Sequence, residues 1–355
     1  MTRVLLIKTS SLGDVIHCLP AVSDLAARVP DLRLDWVIEE EFAEIARLHP
    51  AVSNAVPVRL RSWRYRLFDP EAWGEVGEFR ASIRIARYDR IIDAQGLIRS
   101  ALMARFARGR RCGYDRASVR EPLASLFYDR RYRVPVTLHA VERMRRLAAA
   151  ALGYPRRAEQ DYGLAVAARA PEFLAGRPYI VGLHATARAD KAWPDDDWRA
   201  LAHRSDAAGL ALVLPAGTDR ERRRADRIAE GAASVVAPAR LGFADLAAMM
   251  AASRAVVGVD TGLTHLASAV GAPVVAIYAA TWPDFNGVIG PGFVANLGGP
   301  GAPPGADAVW AETERAIAAG RKTGPWPAAP DAPAPPLAGR RRFRPSNAGA
   351  VVHRR

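Results

Sequence analysis

Three stretches of the chain carry residues that could do chemistry, and each follows a short apolar run. The first, 8–17, reads Lys-Thr-Ser-Ser-Leu-Gly-Asp-Val-Ile-His. If the preceding run 4–7 is a strand, Asp14 lies where a strand ends and a helix begins, which is where open α/β sheets bind ligands. A carboxylate there can accept a proton from an acceptor hydroxyl. Asp is also a favoured N-cap residue, so spacing alone leaves a helix-capping role equally open.

The glycine content of this first stretch narrows the class of enzyme. Gly13 is its single glycine. Dinucleotide-binding fingerprints and Walker phosphate loops both need several glycines, because their backbones approach phosphates closely at more than one point. The pattern therefore disfavours a dehydrogenase and an NTPase.

The second stretch, 259–265, follows the apolar run 255–259 and reads Val-Asp-Thr-Gly-Leu-Thr-His. Thr261 and Gly262 are expected to open a helix. Free backbone N–H groups and the positive end of the helix dipole make such a start suitable for a phosphate, so we predict diphosphate binding here. A simple capped turn between a strand and a helix is the alternative.

The third stretch, 184–194, follows the apolar run 180–183 and contains Lys191. Its compact positive charge could neutralise a departing diphosphate. A surface lysine before a helix is the alternative, but only three of the 50 basic residues are lysines, which makes Lys191 informative. The acidic run 195–197 favours the first turn of a helix, after Pro194, over a metal site.

The elements that position these stretches alternate between short apolar runs and helical patterns. This order predicts an α/β fold of two Rossmann-like, doubly wound parallel-sheet domains facing a cleft. We predict a first domain over 1–160, a second over 161–317, and a disordered, basic, Pro/Ala-rich tail over 318–355. The predicted strands are 4–7, 34–38, 55–58, 90–92, 179–183, 210–214, 234–237, 255–259 and 274–278, and the predicted helices include 21–28, 42–48, 76–86, 98–107, 139–152 and 309–319.

Composition excludes several classes of protein. No apolar run approaches the roughly 18 residues that cross a bilayer, and 4–7 is too short for the core of a signal peptide, so we expect a cytosolic protein. Cys18 and Cys112 stand far apart without ligand spacing, which gives a disulfide framework or a zinc site no support.

The formal charge of +13 is unevenly distributed along the chain. Residues 1–160 carry +9, 161–317 carry −3 and 318–355 carry +7. The basic first half indicates an anionic partner, although an Arg-rich composition explains the charge equally well. The basic tail residues 340–344 could touch anionic lipid, with a solvated tail as the favoured interpretation. No groove-reading motif or RNA-binding aromatic signature is present, so nucleic acid is not predicted.

Together the three stretches resemble the lipopolysaccharide heptosyltransferases of glycosyltransferase family nine, over residues 1 to about 317. The type I members are the most similar. Four further pieces carry the resemblance: DWVIEE at 35–40, IDAQGL at 92–97, REPLASLFY at 120–128 and HAVER at 139–143.

The resemblance implies a GT-B fold with an acceptor domain followed by a donor domain. It implies an inverting transfer that needs no metal and no cofactor. The donor would be ADP-L-glycero-β-D-manno-heptose, and the acceptor the inner Kdo, an acidic eight-carbon sugar, of Kdo2-lipid A. The protein would then work peripherally at the cytoplasmic face of the inner membrane.

The resemblance also implies roles for individual residues. Asp14 would be the base, and Lys191 would bind and stabilise the diphosphate. Glu221 would bind the ribose, with an ordinary exposed helix Glu as the alternative, and each predicted acceptor arginine is equally well explained as a solvated surface charge. Thr186, Asp260, Thr261, Gly262 and His265 would line the donor site, and Arg61, Arg64, Arg120 and Arg143 would face the acceptor.

The donor end departs from the family's pattern at three places. Ala187 replaces a frequent second Thr, Ala216 replaces a common Trp, and 279–283 only partly keeps a Tyr-Gly-Pro-Thr-Asp-Pro run. These changes leave open a related transferase with another donor or a later, type II acceptor. A non-catalytic module that binds sugar nucleotide or lipid is the alternative from another class, and the joint presence of Asp14 and Lys191 argues against it.

Overall fold

The computed structural model describes residues 1–66 and 68–322, together with the backbone of 326–327. Two parallel six-stranded sheets dominate these residues, one in each half of the chain. Within each, the strands lie in the order third, second, first, fourth, fifth, sixth, which is the Rossmann order. This confirms the predicted fold class. The first sheet holds β1 (Thr2–Ile7), β2 (Leu32–Glu39), β3 (Val52–Val58), β4 (Arg87–Asp93), β5 (Arg108–Tyr114) and β6 (Arg130–Tyr132); β7 (Glu159–Gln160) follows; the second sheet holds β8 (Tyr179–Leu183), β9 (Ala211–Val213), β10 (Val235–Val236), β11 (Val256–Val259), β12 (Val274–Tyr278) and β13 (Val294–Gly298); β14 is Trp326–Pro327.

Helices cover both faces of each sheet. Val4 and Leu6 of β1 enter one apolar cluster, whereas Leu5 and Ile7 enter another. Because successive side chains of a strand point to opposite faces, such a strand must be covered on both sides. The helices are α1 (Leu12–Arg28), α2 (Ala43–Arg47), α3 (Leu60–Trp63), α4 (Pro70–Arg84), α5 (Ile98–Ala104), α6 (Ala140–Leu152), α7 (Asp195–Ala207), α8 (Asp219–Ala229), α9 (Phe243–Ala252), α10 (Gly262–Ala269) and α11 (Ala306–Ala319), with 3₁₀ segments at Glu40–Phe42, Pro122–Phe127, Glu172–Leu174 and Ala189–Lys191.

Helix α1 begins nine residues earlier than the predicted start at 21. Its N-cap is Ser11, and Pro20 lies inside it. A proline removes one backbone hydrogen bond from a helix interior, which favours a start after it, but burial of one face of α1 outweighs that cost here. The early start matters because it places Asp14 within the first turn.

Three strands of the two six-stranded sheets were not predicted from the sequence, nor were the two-residue strands β7 and β14. The residues of β5 and β6 are rich in arginine and partly exposed, and β13 lies in a Gly/Pro-rich stretch. Each is a strand because it pairs with a parallel neighbour towards one end of a sheet, not because its own residues form an apolar run. Composition alone cannot reveal such a strand.

The structure describes an ordered segment just beyond 318, where the tail was predicted to start, while disorder of the tail as a whole stays a prediction. Helix α11 continues to Ala319, the side chain of Arg321 donates to the Val270 carbonyl, and the backbone N–H of Lys322 donates to Gly271. Strand β14 then pairs antiparallel with β7. The rest of the predicted tail, including 340–344, lies outside the described residues, and the domain limit at 160 stays a prediction.

No described helix combines the length and the apolar character that crossing a bilayer requires. Cys18 and Cys112 are both free and buried. Burial raises the pKa of the Cys18 thiol to about 12, so this side chain behaves as an apolar one.

The two halves share one apolar cluster, which runs from α1 and α6 to α9 and α10. A polar contact reinforces it. The carboxylate of Glu44, in α2 of the first half, accepts from the backbone N–H groups of Phe243 and Ala244 at 2.9 and 3.1 Å. These are the first residues of α9, whose early N–H groups have no partner within the helix. A side chain of one half therefore caps a helix of the other.

A buried ion pair fixes the connection between the halves. Arg145 in α6 is fully buried and donates to the carboxylate of Asp24 in α1 at 2.7 and 3.1 Å. The same guanidinium donates to the backbone carbonyls of Arg157 and Glu159, where the chain leaves the first half. Helix α1, helix α6 and the connection are thus held by one cation.

Replacing this cation should destabilise the protein strongly. We expect Arg145→Met to lower the free energy of unfolding by about 3–5 kcal/mol, because the carboxylate of Asp24 would stay buried without its partner. Urea titration followed by circular dichroism measures the change. Arg169→Met is the matched control: Arg169 pairs with Asp245 in water, and we expect a loss below about 1 kcal/mol. Equal losses in both variants would contradict this assignment.

Candidate active site

Asp14 lies in the first turn of α1, just beyond the carboxyl end of β1. It is the third residue of the helix and not its N-cap, which is Ser11. One carboxylate oxygen accepts from the Ser11 backbone N–H at 3.1 Å, and the other lies 3.6 Å from the ammonium of Lys8. The side chain remains 29% exposed. Asp14 is therefore the third helical residue of a capping box and not the N-cap that the sequence left open, and its carboxylate still reaches solvent. Its role as a base stays a prediction.

Lys8 is the charged residue beside Asp14 to which the sequence analysis assigned no role. Its side chain is almost fully buried, and its ammonium has Asp14 as its ion-pair partner. A buried ammonium is rare unless it is paired. The signal was present in the sequence, since Lys8 is one of only three lysines and opens the first stretch.

Gln95 shapes the loop that carries Asp14. Its side-chain oxygen accepts from the backbone N–H groups of Thr9 and Ser10 at 3.0 and 3.2 Å. Gln95 is itself held by Asp93, at the end of β4, which accepts from the Gln95 N–H and from the Tyr128 hydroxyl. Burial raises the pKa of Asp93. Residues 92–97 (IDAQGL) and 120–128 (REPLASLFY) thus support the loop through Gln95, Asp93 and Tyr128.

Lys191 and Asp260 form the charged centre of the second half. The ammonium of Lys191 lies 2.7 Å from a carboxylate oxygen of Asp260, and the Thr281 hydroxyl donates to the same oxygen at 2.6 Å. These residues follow β8, β11 and β12, three adjacent strands of one parallel sheet. Their carboxyl ends meet at one edge, so residues 69 positions apart become neighbours. Thr281 lies in the divergent run 279–283 and was not predicted.

The N-termini of α1 and α10 face each other across the two halves. Thr261 is the N-cap of α10, and Gly262 is its first residue. A Cβ atom added at Gly262 would lie 2.6 Å from Leu12, and one added at Gly13 would lie 3.3 Å from the ring of His265. Glycine at 262 is therefore required by the contact between the halves, in addition to any approach of a phosphate.

Three histidines line this contact. The Nε2 atom of His17 in α1 lies 3.1 Å from Nδ1 of His265 in α10, and the Nε2–H of His139 donates to the Gly287 carbonyl at 3.0 Å. The rings of His17 and His139 are 5.3 Å apart. Burial lowers the pKa of all three, to about 4 for His265. They are therefore neutral near pH 7, and their hydrogen bonds join the halves.

The remaining predicted donor residues lie around the same sheet edge but are not linked to this centre by hydrogen bonds. Thr186 follows β8 and is half-buried, and its hydroxyl has no partner within the described residues. Glu221, in the first turn of α8, accepts from the Gly217 backbone N–H at 2.6 Å. Its second carboxylate oxygen is available to a ligand.

The four predicted acceptor arginines have different surroundings. Arg61 pairs with Glu41 and stacks over Phe42, and Arg64 stacks over Tyr65. The guanidinium of Arg143 turns inward, over the ring of Tyr114 and towards the Ser118 carbonyl. Arg120 is exposed and has no ion-pair partner within the described residues. Among the described residues, only Arg61 of these four has a carboxylate partner, and of the other three Arg64 and Arg120 are the exposed ones.

Within residues 1–66 and 68–322, no group of three or more His, Cys, Asp or Glu side chains is placed to hold a metal ion. The acidic run 195–197 begins α7, as predicted. Asp195 pairs with Arg224 and Arg227. These carboxylates therefore stabilise a helix start and its neighbours.

Comparison with known proteins gives consistent matches. The sequence profile of glycosyltransferase family 9 (heptosyltransferase) matches residues 76–302. Lipopolysaccharide heptosyltransferase 1 of Pseudomonas aeruginosa is 46% identical over 294 residues, covering 81% of each chain. Two structures of the Escherichia coli heptosyltransferase WaaC are each 40% identical to this chain. The one with ADP has a TM-score of 0.81 and covers 89% of this chain and 100% of WaaC; the one with ADP-2-deoxy-2-fluoro heptose has a TM-score of 0.79 and covers 88% and 99%.

The buried histidines predict a specific pH dependence. An unfolded imidazole binds a proton below its ordinary pKa of 6.5, whereas the folded ones resist it until their lowered pKa values are reached. Stability should therefore be lost as the pH falls below about 6.5, and His265, whose pKa is lowered to about 4, should alone contribute a loss of about 1–2 kcal/mol between pH 6.5 and 5. Thermal unfolding between pH 8 and 5 measures this.

The variant His17→Gln should flatten that pH dependence relative to the native chain, even if its stability at pH 8 is lower. His203→Gln is the control, because His203 is exposed on α7 and its replacement should leave the slope unchanged. An unaltered slope in His17→Gln would show that the interface histidines do not carry the effect.

Proposed function

Because the chain belongs to glycosyltransferase family 9, the heptosyltransferases, and is a glycosyltransferase, we propose that it transfers L-glycero-D-manno-heptose from ADP-heptose to the inner Kdo of Kdo2-lipid A. The donor proposal rests on the two WaaC structures, which contain ADP and an ADP-heptose analogue, and on the 40% identity with them. The acceptor proposal rests on the similarity to lipopolysaccharide heptosyltransferase 1 and on the basic first half. We further propose that the enzyme works at the cytoplasmic face of the inner membrane.

The single observation that carries the mechanism is the position of Asp14. Its carboxylate is oriented by the Ser11 N–H and by the buried ammonium of Lys8, yet it remains open to solvent at the edge of the first sheet. A general base needs this combination of a fixed direction and access to the acceptor hydroxyl. In the proposed step, Asp14 accepts the proton of a Kdo hydroxyl while the oxygen of that hydroxyl attacks the anomeric carbon of heptose. The bond to ADP breaks, and the configuration inverts.

The departing diphosphate would be stabilised by the second half. An ammonium group has three donors, so Lys191 can keep its contact with Asp260 and still donate to diphosphate oxygens. The N-terminus of α10, at Thr261 and Gly262, supplies backbone N–H groups and a favourable dipole nearby. Asp260 and Thr281 act as positioning residues, since they orient the ammonium. In this proposal no metal ion is required, because Lys191 and the helix start offset the developing charge.

His265 and Thr186 are proposed donor contacts, and Glu221 is a proposed ribose contact. His265 is neutral and hydrogen-bonded to His17, so its part would be to hold the two halves around the donor rather than to supply charge. On the acceptor side, Arg64 and Arg120 offer exposed guanidinium groups to the acceptor's carboxylates and phosphates. Arg61 is paired with Glu41, so an acceptor oxygen would compete with that carboxylate for its guanidinium. Arg143 would support the site indirectly, by holding the Ser118 carbonyl and the Tyr114 ring.

The rival assignment to a type II enzyme is disfavoured because the first loop, 9–14, and the piece 120–128 resemble the type I members. A non-catalytic binding module would not need a carboxylate held open beside a buried lysine. Turnover with ADP-heptose and Kdo2-lipid A discriminates both rivals from the proposed function.

Removing the base should abolish most turnover, and it should also lower stability because the buried ammonium of Lys8 loses its carboxylate partner. We expect Asp14→Asn to lower kcat by about 10²- to 10⁴-fold, because the amide cannot accept the proton. The amide oxygen can still accept from Ser11, so the helix start is preserved. The measurement is ADP release together with the thermal midpoint and donor affinity. Asp245→Asn, an exposed carboxylate on α9, is the control with native turnover. Native turnover in Asp14→Asn would exclude it as the base.

Removing the cation should affect the transition state more than donor binding. We expect Lys191→Met to lower kcat by about 10²- to 10³-fold, since the charge that develops on ADP would lose its main counterion. Lys322→Met, which removes an exposed lysine near the end of the described chain, should leave kcat unchanged.

Excess EDTA should leave the native rate unchanged, and a loss of activity that Mg²⁺ restores would overturn the metal-independent step.

A further inference from the structure

Large apolar side chains are exposed at the carboxyl edge of the first sheet. Tyr65 and Phe68, in the segment between β3 and α4, are 77% and 99% exposed. Leu123 and Leu126, between β5 and β6, are 56% and 61% exposed. Single exposed apolar residues are ordinary, but several that share one edge of a domain mark a contact surface. We call these four side chains the apolar edge.

The leucines of the apolar edge are held rigidly in their exposed position. They lie in the 3₁₀ helix Pro122–Phe127, which has three residues per turn, so Leu123 and Leu126 share one face. The other face packs inward through Ala124 and Ser125, which are buried. The segment therefore presents apolar side chains to solvent because of its geometry, not because it is loosely packed.

The start of this segment is fixed by a hydrogen bond. Glu121 accepts from the Ile98 backbone N–H at 2.7 Å, which fastens the 3₁₀ helix to the first residue of α5. At its other end the Tyr128 hydroxyl is bound by Asp93. A fixed apolar face can dock on a surface without a large ordering cost.

The two parts of the apolar edge flank the proposed catalytic loop. Their segments follow β3 and β5, which are parallel strands of one sheet in the order β3-β2-β1-β4-β5. Four strand spacings separate them, or about 19 Å. The loop that carries Asp14 follows β1, the middle strand of the five. A flat partner that touches both apolar parts would therefore lie over the entrance to Asp14.

Unneutralised positive charge accompanies the apolar side chains. Arg64 lies next to Tyr65, and Arg116 and Arg120 precede Leu123. All three lack a carboxylate partner within the described residues, and Arg116 and Arg120 are exposed. Arg59 and Arg66, in contrast, pair with Glu40, Asp69 and Glu75. Guanidinium groups interleaved with aromatic and leucine side chains match the headgroup region of an anionic bilayer, which offers phosphates above an apolar layer.

We propose that the apolar edge docks on an anionic phospholipid bilayer and holds the Asp14 loop against lipid-borne acceptor. Phe68 and Leu126 enter the boundary between headgroups and acyl chains, while Arg116 binds lipid phosphates and Arg64 and Arg120 stay directed at the acceptor. That the bilayer carries the acceptor rests on the proposed function, but the docking of the protein on the bilayer does not. The basic tail residues 340–344 are a separate candidate for lipid contact and lie outside the described chain.

The first test measures binding to vesicles without any turnover. Full-length protein is mixed with vesicles of phosphatidylglycerol and phosphatidylcholine, or of phosphatidylcholine alone, and bound protein is separated by flotation. We expect binding only to the anionic vesicles, and a loss of at least about tenfold in affinity for the double variant Phe68→Ser/Leu126→Ser. The double variant Ile85→Ser/Phe173→Ser is the matched control. The two exposed apolar residues of this control precede β4 and β8, at the amino ends of strands, whereas the apolar edge lies at the carboxyl ends. Vesicle binding by the control should stay within about twofold of native.

The second test separates docking from an acceptor subsite or an interface between copies. With ADP-heptose, the Phe68→Ser/Leu126→Ser variant should show a raised KM for acceptor embedded in anionic vesicles and a native KM for a water-soluble acceptor without acyl chains. Equal losses on both acceptors, a changed oligomeric state in sedimentation, or native vesicle binding by the variant would each overturn the proposal. Native protein that does not bind anionic vesicles would overturn it as well. If native protein turns over neither acceptor while vesicle binding follows the expectation, the proposed function fails and the docking surface stands.

Discussion

The contact between the N-termini of α1 and α10 is the constraint on which the site depends. Leu12 lies directly against the backbone of Gly262, and any side chain at 262 would collide with it. Because glycine stands there, the ends of β1 and β11 can approach each other from opposite sheets. Asp14 and Asp260 follow those two strands within a few residues. The same contact therefore joins the two halves and places the charged residues of the site near each other.

The charged and titratable side chains at this contact are electrostatically balanced. Each of the two lysines of the site has a carboxylate: Lys8 has Asp14, and Lys191 has Asp260. The three histidines between the halves are neutral, since burial lowers their pKa values. A closely packed interface would not tolerate three imidazolium groups together. In the proposed reaction the diphosphate of the donor adds negative charge beside this contact, and Lys191 and the start of α10 would bind that charge.

Much of the fold could be predicted from apolar runs, and the reasons for the misses are physical. Strands β8 and β12 match their predicted ranges because both faces of a central parallel strand are buried, so nearly every residue is apolar. Strands β5, β6 and β13 lie towards the ends of their sheets and need no such pattern. In the site, the strand-end positions of Asp14, Lys191 and Asp260 could be predicted. Lys8, in the same stretch as Asp14, could have been predicted as well. The contact of Thr281 with Asp260 and the contacts of the three interface histidines could not, because these residues become neighbours only through sheet order and the packing of the halves.

The central proposal is a single displacement, in which one carboxylate of the first half activates the acceptor while the second half receives ADP. Its most direct test is the configuration of the new bond, determined by NMR on the product formed from ADP-L-glycero-β-D-manno-heptose and Kdo2-lipid A. The proposed mechanism predicts an α-linked heptose on the inner Kdo, with one ADP released for each sugar transferred. A β-linked product, or release of ADP with free heptose and no glycosylated Kdo, would contradict it.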